Sequence, residues 1–221
     1  MTGLSSDHRV MTVRLEPFIL ANVLLFIQSD EAIKAFPFVS KNCQVAMLSL
    51  KKNPFSFSKH PTKILAFFPN INTMVVNDLS DLIKTDSLPD TITSIVSLHL
   101  DSFLLIENVL SKFGERVVEI RRCSCSFDKH PDVSSLFPNL QALSICNVRT
   151  GMFETTHRLK HLRVNCHKFD YQAPTKFRPE WAETITFVFE SNWTFSQAKK
   201  YQLAPNIQLL CSAIGEGVTP K

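Results

Sequence analysis

A short phrase, Phe-Pro-Asn followed by a hydrophobe, returns in this chain at a nearly constant interval. Phe68-Pro69-Asn70-Ile71 and Phe137-Pro138-Asn139-Leu140 stand 69 positions apart, three steps of 23, and Pro205-Asn206-Ile207 follows 67 positions later. Each opens a similar apolar pattern: Ile71-x-x-Met74-x-Val76, Leu140-x-x-Leu143-x-Ile145 and Ile207-x-x-Leu210. A period in the low twenties marks a chain of stacked units, none of which can bury its apolar side alone. Such stacks build extended binding surfaces rather than catalytic pockets.

Extending the pattern places unit starts at Ile71, Ile95, Val117, Leu140, Leu159, Ala182 and Ile207. Alternating apolar and other residues within each unit predict a short strand. Leu104 to Leu110, closed by Gly114, predicts a helix between two strands. The expected fold is α/β, an irregular solenoid with a curved parallel sheet over residues 54–221. The third unit has Arg122, and the seventh Ser212, where an apolar residue is expected.

With 44% hydrophobic and 20% charged residues in 221, the chain can bury a core. Five glycines give no phosphate-binding loop, and 18 phenylalanines suit flat apolar layers between units. A net charge of +4 without a clustered basic face argues against a nucleic-acid partner. The longest mainly apolar stretch, Phe18 to Ile27, is too short to span a bilayer. Asp7 and Glu16 before it do not suit a secretory leader. The cytosol or the nucleus is expected, with free thiols at the six cysteines.

Residues 12–53 read as a separate helical head. Leu20, Val23, Leu24 and Ile27 fall at helical spacing behind Pro17, which suits a first turn. Ser29 and Asp30 are positioned to cap a second helix that ends near Pro37, and Ser40 a third that Asn53-Pro54 stops. The first helix is apolar on more than one side, so part of its surface awaits the rest of the chain or a partner.

The repeats resemble a divergent leucine-rich repeat over residues 69–215. Leu79, Phe103, Cys125, Val148 and His167 occupy the position where that family carries Asn or Cys, so an irregular turn is expected. The head resembles an F-box through Leu15-Glu16-Pro17, Val23-Leu24-Leu25-Phe26-Ile27, Asp30 and Val39-Ser40-Lys41. It departs from the family pattern at Glu16 and at Cys43, where a Trp is usual. The layout is similar to that of divergent leucine-rich-repeat families of parasitic amoebae. The F-box resemblance implies docking on the adaptor subunit of a cullin-type ubiquitin ligase, through Leu15, Pro17, Leu20, Val23, Leu24, Ile27 and Val39, while the repeats present a substrate protein. The alternative is a plain repeat scaffold whose head only caps the stack.

The expected strand register puts Thr73, Val75, Asn77, Ser97, His99, Asp101, Glu119, Arg121 and Cys123 on the concave face. Ala142, Ser144, Cys146, His161, Arg163, Asn165, Thr184, Thr186 and Val188 complete it. His99, Asp101, Glu119, Arg121, Ser144, His161, Arg163 and Asn165 are the candidate partner-binding residues. A slip of one residue would turn every one of them inward. Cys123, Cys125, His130, Cys146, Cys166 and His167 lack the spacing of a zinc site. The basic cluster Arg158, Lys160, His161, Arg163, His167 and Lys168 has no interleaved aromatic residue for stacking bases. No hydrolase elbow or metalloprotease motif is present. The expectation is a protein-interaction module without enzymatic activity, metal or cofactor.

Overall fold

The computed structural model describes residues 15–58, 61–101, 107–124, 132–146, 155–166 and 172–212. Local chemistry starts each helix of the head. Pro17 opens α1 (Pro17–Phe26), and its missing N–H would have had no helical partner there. The Ser29 hydroxyl accepts from the Ala32 amide ahead of α2 (Asp30–Ala35), and the Ser40 hydroxyl from the Cys43 amide ahead of α3 (Lys41–Ser49). A single 3₁₀ turn, Phe36–Phe38, joins α2 to α3. Further on lie α4 (Pro61–Phe67), α5 (Glu107–Phe113), α6 (Val133–Leu136), α7 (Ala173–Lys176) and α8 (Asn192–Ala198).

Seven strands follow the head: β1 (Thr73–Asp78), β2 (Ser94–His99), β3 (Val117–Cys123), β4 (Ala142–Cys146), β5 (Leu159–Cys166), β6 (Ala182–Phe189) and β7 (Ile207–Cys211). Every strand pairs in parallel with the next, and their order in the sheet is their order in the chain. One face of the sheet belongs to a single apolar core. Val76, Ile120, Leu143, Leu162 and Ile185 lie in register across it, each at most 2% exposed. The same core runs without a break into the head through Leu24, Ile33, Phe36, Ala46 and Met47.

The recurrent phrase has a definite structural role. Phe68 and Phe137 are fully buried and make the last hydrogen bond of a short helix, to Ile64 O and Val133 O. The proline turns the chain, and the asparagine side chain reaches back one unit. Asn70 Nδ2 donates to Leu48 O at 2.9 Å, and Asn139 Nδ2 to Glu115 O at 2.8 Å. Asn206 Nδ2 donates to Pro179 O at 2.8 Å and to Ala182 O at 2.9 Å. Before β3 an arginine takes this place: Arg116 Nη1 donates to Ile92 O at 3.1 Å and Pro89 O at 3.3 Å.

The register departs from expectation in three units. In the second, Ile92, Ile95 and Leu100 are in the core, but Ser97 joins them there in place of Leu98 and leaves the open face; Ser97 is fully buried and Leu98 half-exposed. The Ser97 hydroxyl is satisfied by His99 O at 2.6 Å. In the third, a bulge puts Arg121 and Arg122 both outside and turns Cys123 into the core, so Cys123 leaves the open face. The misfit of Arg122 is thereby removed. In the seventh, Leu209 and not Leu210 pairs with core-facing Phe187, and Leu210 is 49% exposed.

The first strand's outer edge is closed by the connector that leaves α3. Lys52 bridges Thr73 in parallel, and Lys51 O accepts from the Asn72 and Thr73 amides. One unit on, Asn72 O accepts from Thr93 and Ser94 in the same way. Asn53 then imitates a strand residue. Its Oδ1 accepts from Val75 N at 2.8 Å, and its Nδ2 donates to Val75 O and Phe57 O, both at 2.9 Å.

Candidate functional site

Two surfaces stand out, one on the open face of the sheet and one on the head. On the open face the register lines up Glu119, Ala142 and His161, then Ser144 and Arg163, then Cys146 and Asn165. These side chains alternate with core residues, so the strand pleat itself presents them. They line a solvent-open groove of about 690 Å³, which Arg121, Arg122, Ser124 and Glu190 help to form. The groove therefore gathers Glu119, Arg121, Ser144, His161, Arg163 and Asn165. It does not gather His99, which is half-exposed at the end of β2, or Asp101, exposed beyond that strand.

Arg121 is held on both sides. Its Nε donates to Glu119 Oε1 at 2.9 Å, and its guanidinium lies 4.1 Å from the centre of the Phe55 ring, on the connector. Arg163 Nε makes only a long contact to Asn165 Oδ1, at 3.4 Å, and its side chain is exposed. Asn165 Nδ2 in turn points at Cys146 Sγ, 3.5 Å away. The lining alternates cationic, anionic and neutral polar groups. Such a surface suits hydrogen bonding and charge pairing with an extended partner. Ser144 and His161 share the groove, but no hydrogen bond joins them as nucleophile and base.

The basic cluster splits across β5. His161 and Arg163 enter the groove, whereas Arg158 and Lys160 line a shallower cavity of about 450 Å³ with Glu115 and Glu183. His167 and Lys168 lie outside the described residues, as do Cys125 and His130. Among the described residues no three His, Cys, Asp or Glu side chains come together as metal ligands, and no helix is long and apolar enough to cross a membrane.

On the head, α1 carries no charged residue and is apolar nearly all round. Leu24 is its one fully buried side chain. That removes Leu24 from any surface offered to a partner: it is a core residue. Pro17, Leu20 and Ile27 are half-buried, Leu15 and Val23 just under half-exposed, and Val39 is 74% exposed. Asn42 Nδ2 donates to Leu15 O at 2.9 Å and brings the start of α1 beside the start of α3, just after Val39. The most exposed apolar side chains are Phe18, Phe26 and Phe38, at 78%, 80% and 88%. The sequence signal for them was present, because a helix apolar on every side must leave one side uncovered. The family pattern directed attention to the aliphatic positions instead.

Comparison with protein families, with curated proteins and with solved structures returns no match to this chain.

Proposed function

We propose that the protein is a non-enzymatic protein-interaction module of the cytosol or nucleus. In this reading an irregular leucine-rich-repeat solenoid carries an F-box-like helical head. The head docks on the adaptor subunit of a cullin-type ubiquitin ligase, and the open face of the sheet receives a substrate protein. The exposed aromatic side chains of the head carry the proposal. Phe18 and Phe26, on the ten-residue α1, and Phe38, on a three-residue 3₁₀ turn, stand in water. Three such side chains left exposed on so small a head suit a surface that another protein covers. The pairing of sequential strands supports the solenoid, and the Ser40 cap behind Val39 supports the F-box-like head.

The second reading, a scaffold whose head only caps the stack, is favoured by the connector. Lys51, Lys52 and Asn53 close the edge of β1 as a preceding unit would. The two readings separate in one experiment. The purified chain is mixed with the recombinant ligase adaptor, alongside a Phe26→Lys, Phe38→Asp variant that leaves Leu24 in place. Docking predicts capture by the parent chain and loss of at least about tenfold in affinity in the variant, with an unchanged melt. No capture of the folded parent chain would leave the scaffold reading. An Arg163→Glu variant should retain the adaptor and lose partners of the open face.

A further inference from the structure

The two ends of the sheet are unlike. The outer edge of β1 is closed by the connector, whereas among the described residues no strand pairs with the outer edge of β7. The core-facing side chains of β7, Ile207, Leu209 and Cys211, are only half-buried; their neighbours one strand inward, Ile185, Phe187 and Phe189, are fully buried. Trp193, on the α8 that packs against β7, is 56% exposed. The backbone is poised for pairing as well. Asn206 O accepts from Ile185 N, and Ser212 N donates to Phe189 O. Even-numbered residues thus turn their peptide groups toward β6, and Leu209 and Cys211 turn theirs outward.

Natural edge strands are blunted by lysines, prolines or bulges. β7, Ile-Gln-Leu-Leu-Cys, has none of these. Charge is missing from a wider region: no Asp, Glu, Lys or Arg occurs in residues 191–198 or 201–215, in a chain 20% charged. We propose that β7 is a self-association edge, along which two copies pair antiparallel about a two-fold axis. Leu209 then faces its own counterpart, and Ile207 faces Cys211 of the other copy. The missing charge is the reason to choose a second copy. Two-fold symmetry sets a patch against itself, so a charged strand would meet like charge, and a neutral one does not. The pairing continues both the sheet and the half-open core of each copy into the other.

Sedimentation of the full chain at rising concentration tests this. The expected mass moves from 25.1 kDa toward twice that value. Gln208→Lys with Leu210→Lys charges only exposed positions and should weaken the dimer at least about tenfold, with the melt unchanged. Phe26→Lys on the head should leave the dimer intact. Hydrogen exchange supplies a readout that needs no variant: protection of the Leu209 and Cys211 amides should rise with protein concentration. A monomer at every concentration, a dimer indifferent to the β7 lysines, a dimer lost with Phe26→Lys, or concentration-independent exchange at Leu209 each overturns the proposal.

Discussion

Replacing Asn53 with alanine should destabilise this protein more than any other single asparagine truncation in its described residues. The side chain is 1% exposed and makes three good hydrogen bonds, to Val75 N, Val75 O and Phe57 O. At a net contribution near 1 kcal/mol each, these sum to about 3 kcal/mol. Truncation also leaves the Val75 amide and carbonyl buried without partners, which takes the expected loss to about 3–5 kcal/mol. Against a typical stability of about 5–15 kcal/mol that is a large fraction. For a chain of this length it lowers Tm by roughly 10 °C. Asn70→Ala is the control. It removes one exposed bond, to Leu48 O, and should cost about 0.5–1.5 kcal/mol. Urea titration followed by circular dichroism reports both losses as midpoint shifts at constant slope. Asn53→Asp adds a sign test. A carboxylate facing two carbonyls is raised in pKa, so its destabilisation is greatest at neutral pH and is relieved as pH falls and the acid protonates. A loss below about 1 kcal/mol for Asn53→Ala, or equal losses at positions 53 and 70, would refute the idea that the connector acts as a preceding strand.

Two further outcomes follow from local geometry. A Cβ on Gly114 would stand 2.7 Å from the Leu136 carbonyl oxygen, a backbone atom that cannot swing aside, so Gly114→Ala should cost about 1–3 kcal/mol in the same titration. The Glu31 carboxyl is held below its ordinary pKa, first by its own backbone amide and then by the Ser29 hydroxyl, 2.8 Å away. A lowered folded-state pKa means that the stabilisation is present above the unfolded value and is lost as pH falls through the folded one. Titration of the Glu31 side chain by NMR should show a low midpoint that rises in Ser29→Ala; an unmoved midpoint would contradict the assignment.

Much of the architecture was legible because it rests on short-range rules. Ser29 and Ser40 cap where their spacing to the following apolar residues says, and Pro17 starts its helix. The unit starts at Leu140, Leu159 and Ala182 also hold, since Leu143, Leu162 and Ile185 lie in register on the core side. The errors lie where one residue more or less leaves the apolar pattern unchanged. In the second unit Ile95 and Leu100 are core residues as expected. Leu98 is a better hydrophobic match than Ser97, yet Ser97 is buried and its hydroxyl finds a local acceptor in His99 O. In the third, the bulge beside Cys123 cannot be seen in a pattern that assumes strict alternation. The groove survived these slips because β3, β4 and β5 keep Glu119, Ala142 and His161 aligned. His99 and Asp101 missed it because the register of β2 lies one residue away from the expected one: Val96, not Ser97, aligns with Glu119. The head's aromatic surface was foreshadowed only as an excess of apolar residues, because α1 gives no polar side from which to tell inside from outside.

Four of the long side-chain ties, from Asn70, Arg116, Asn139 and Asn206, reach the same way along the chain. Asn70, Arg116, Asn139 and Asn206 each hold a carbonyl that precedes them by some twenty or more residues, and the first of these carbonyls belongs to the head. A ribosome delivers the acceptor before the donor in every case. Each of these four side chains thus finds its ledge already made when it leaves the ribosome, so these particular ties need no sequence still to come.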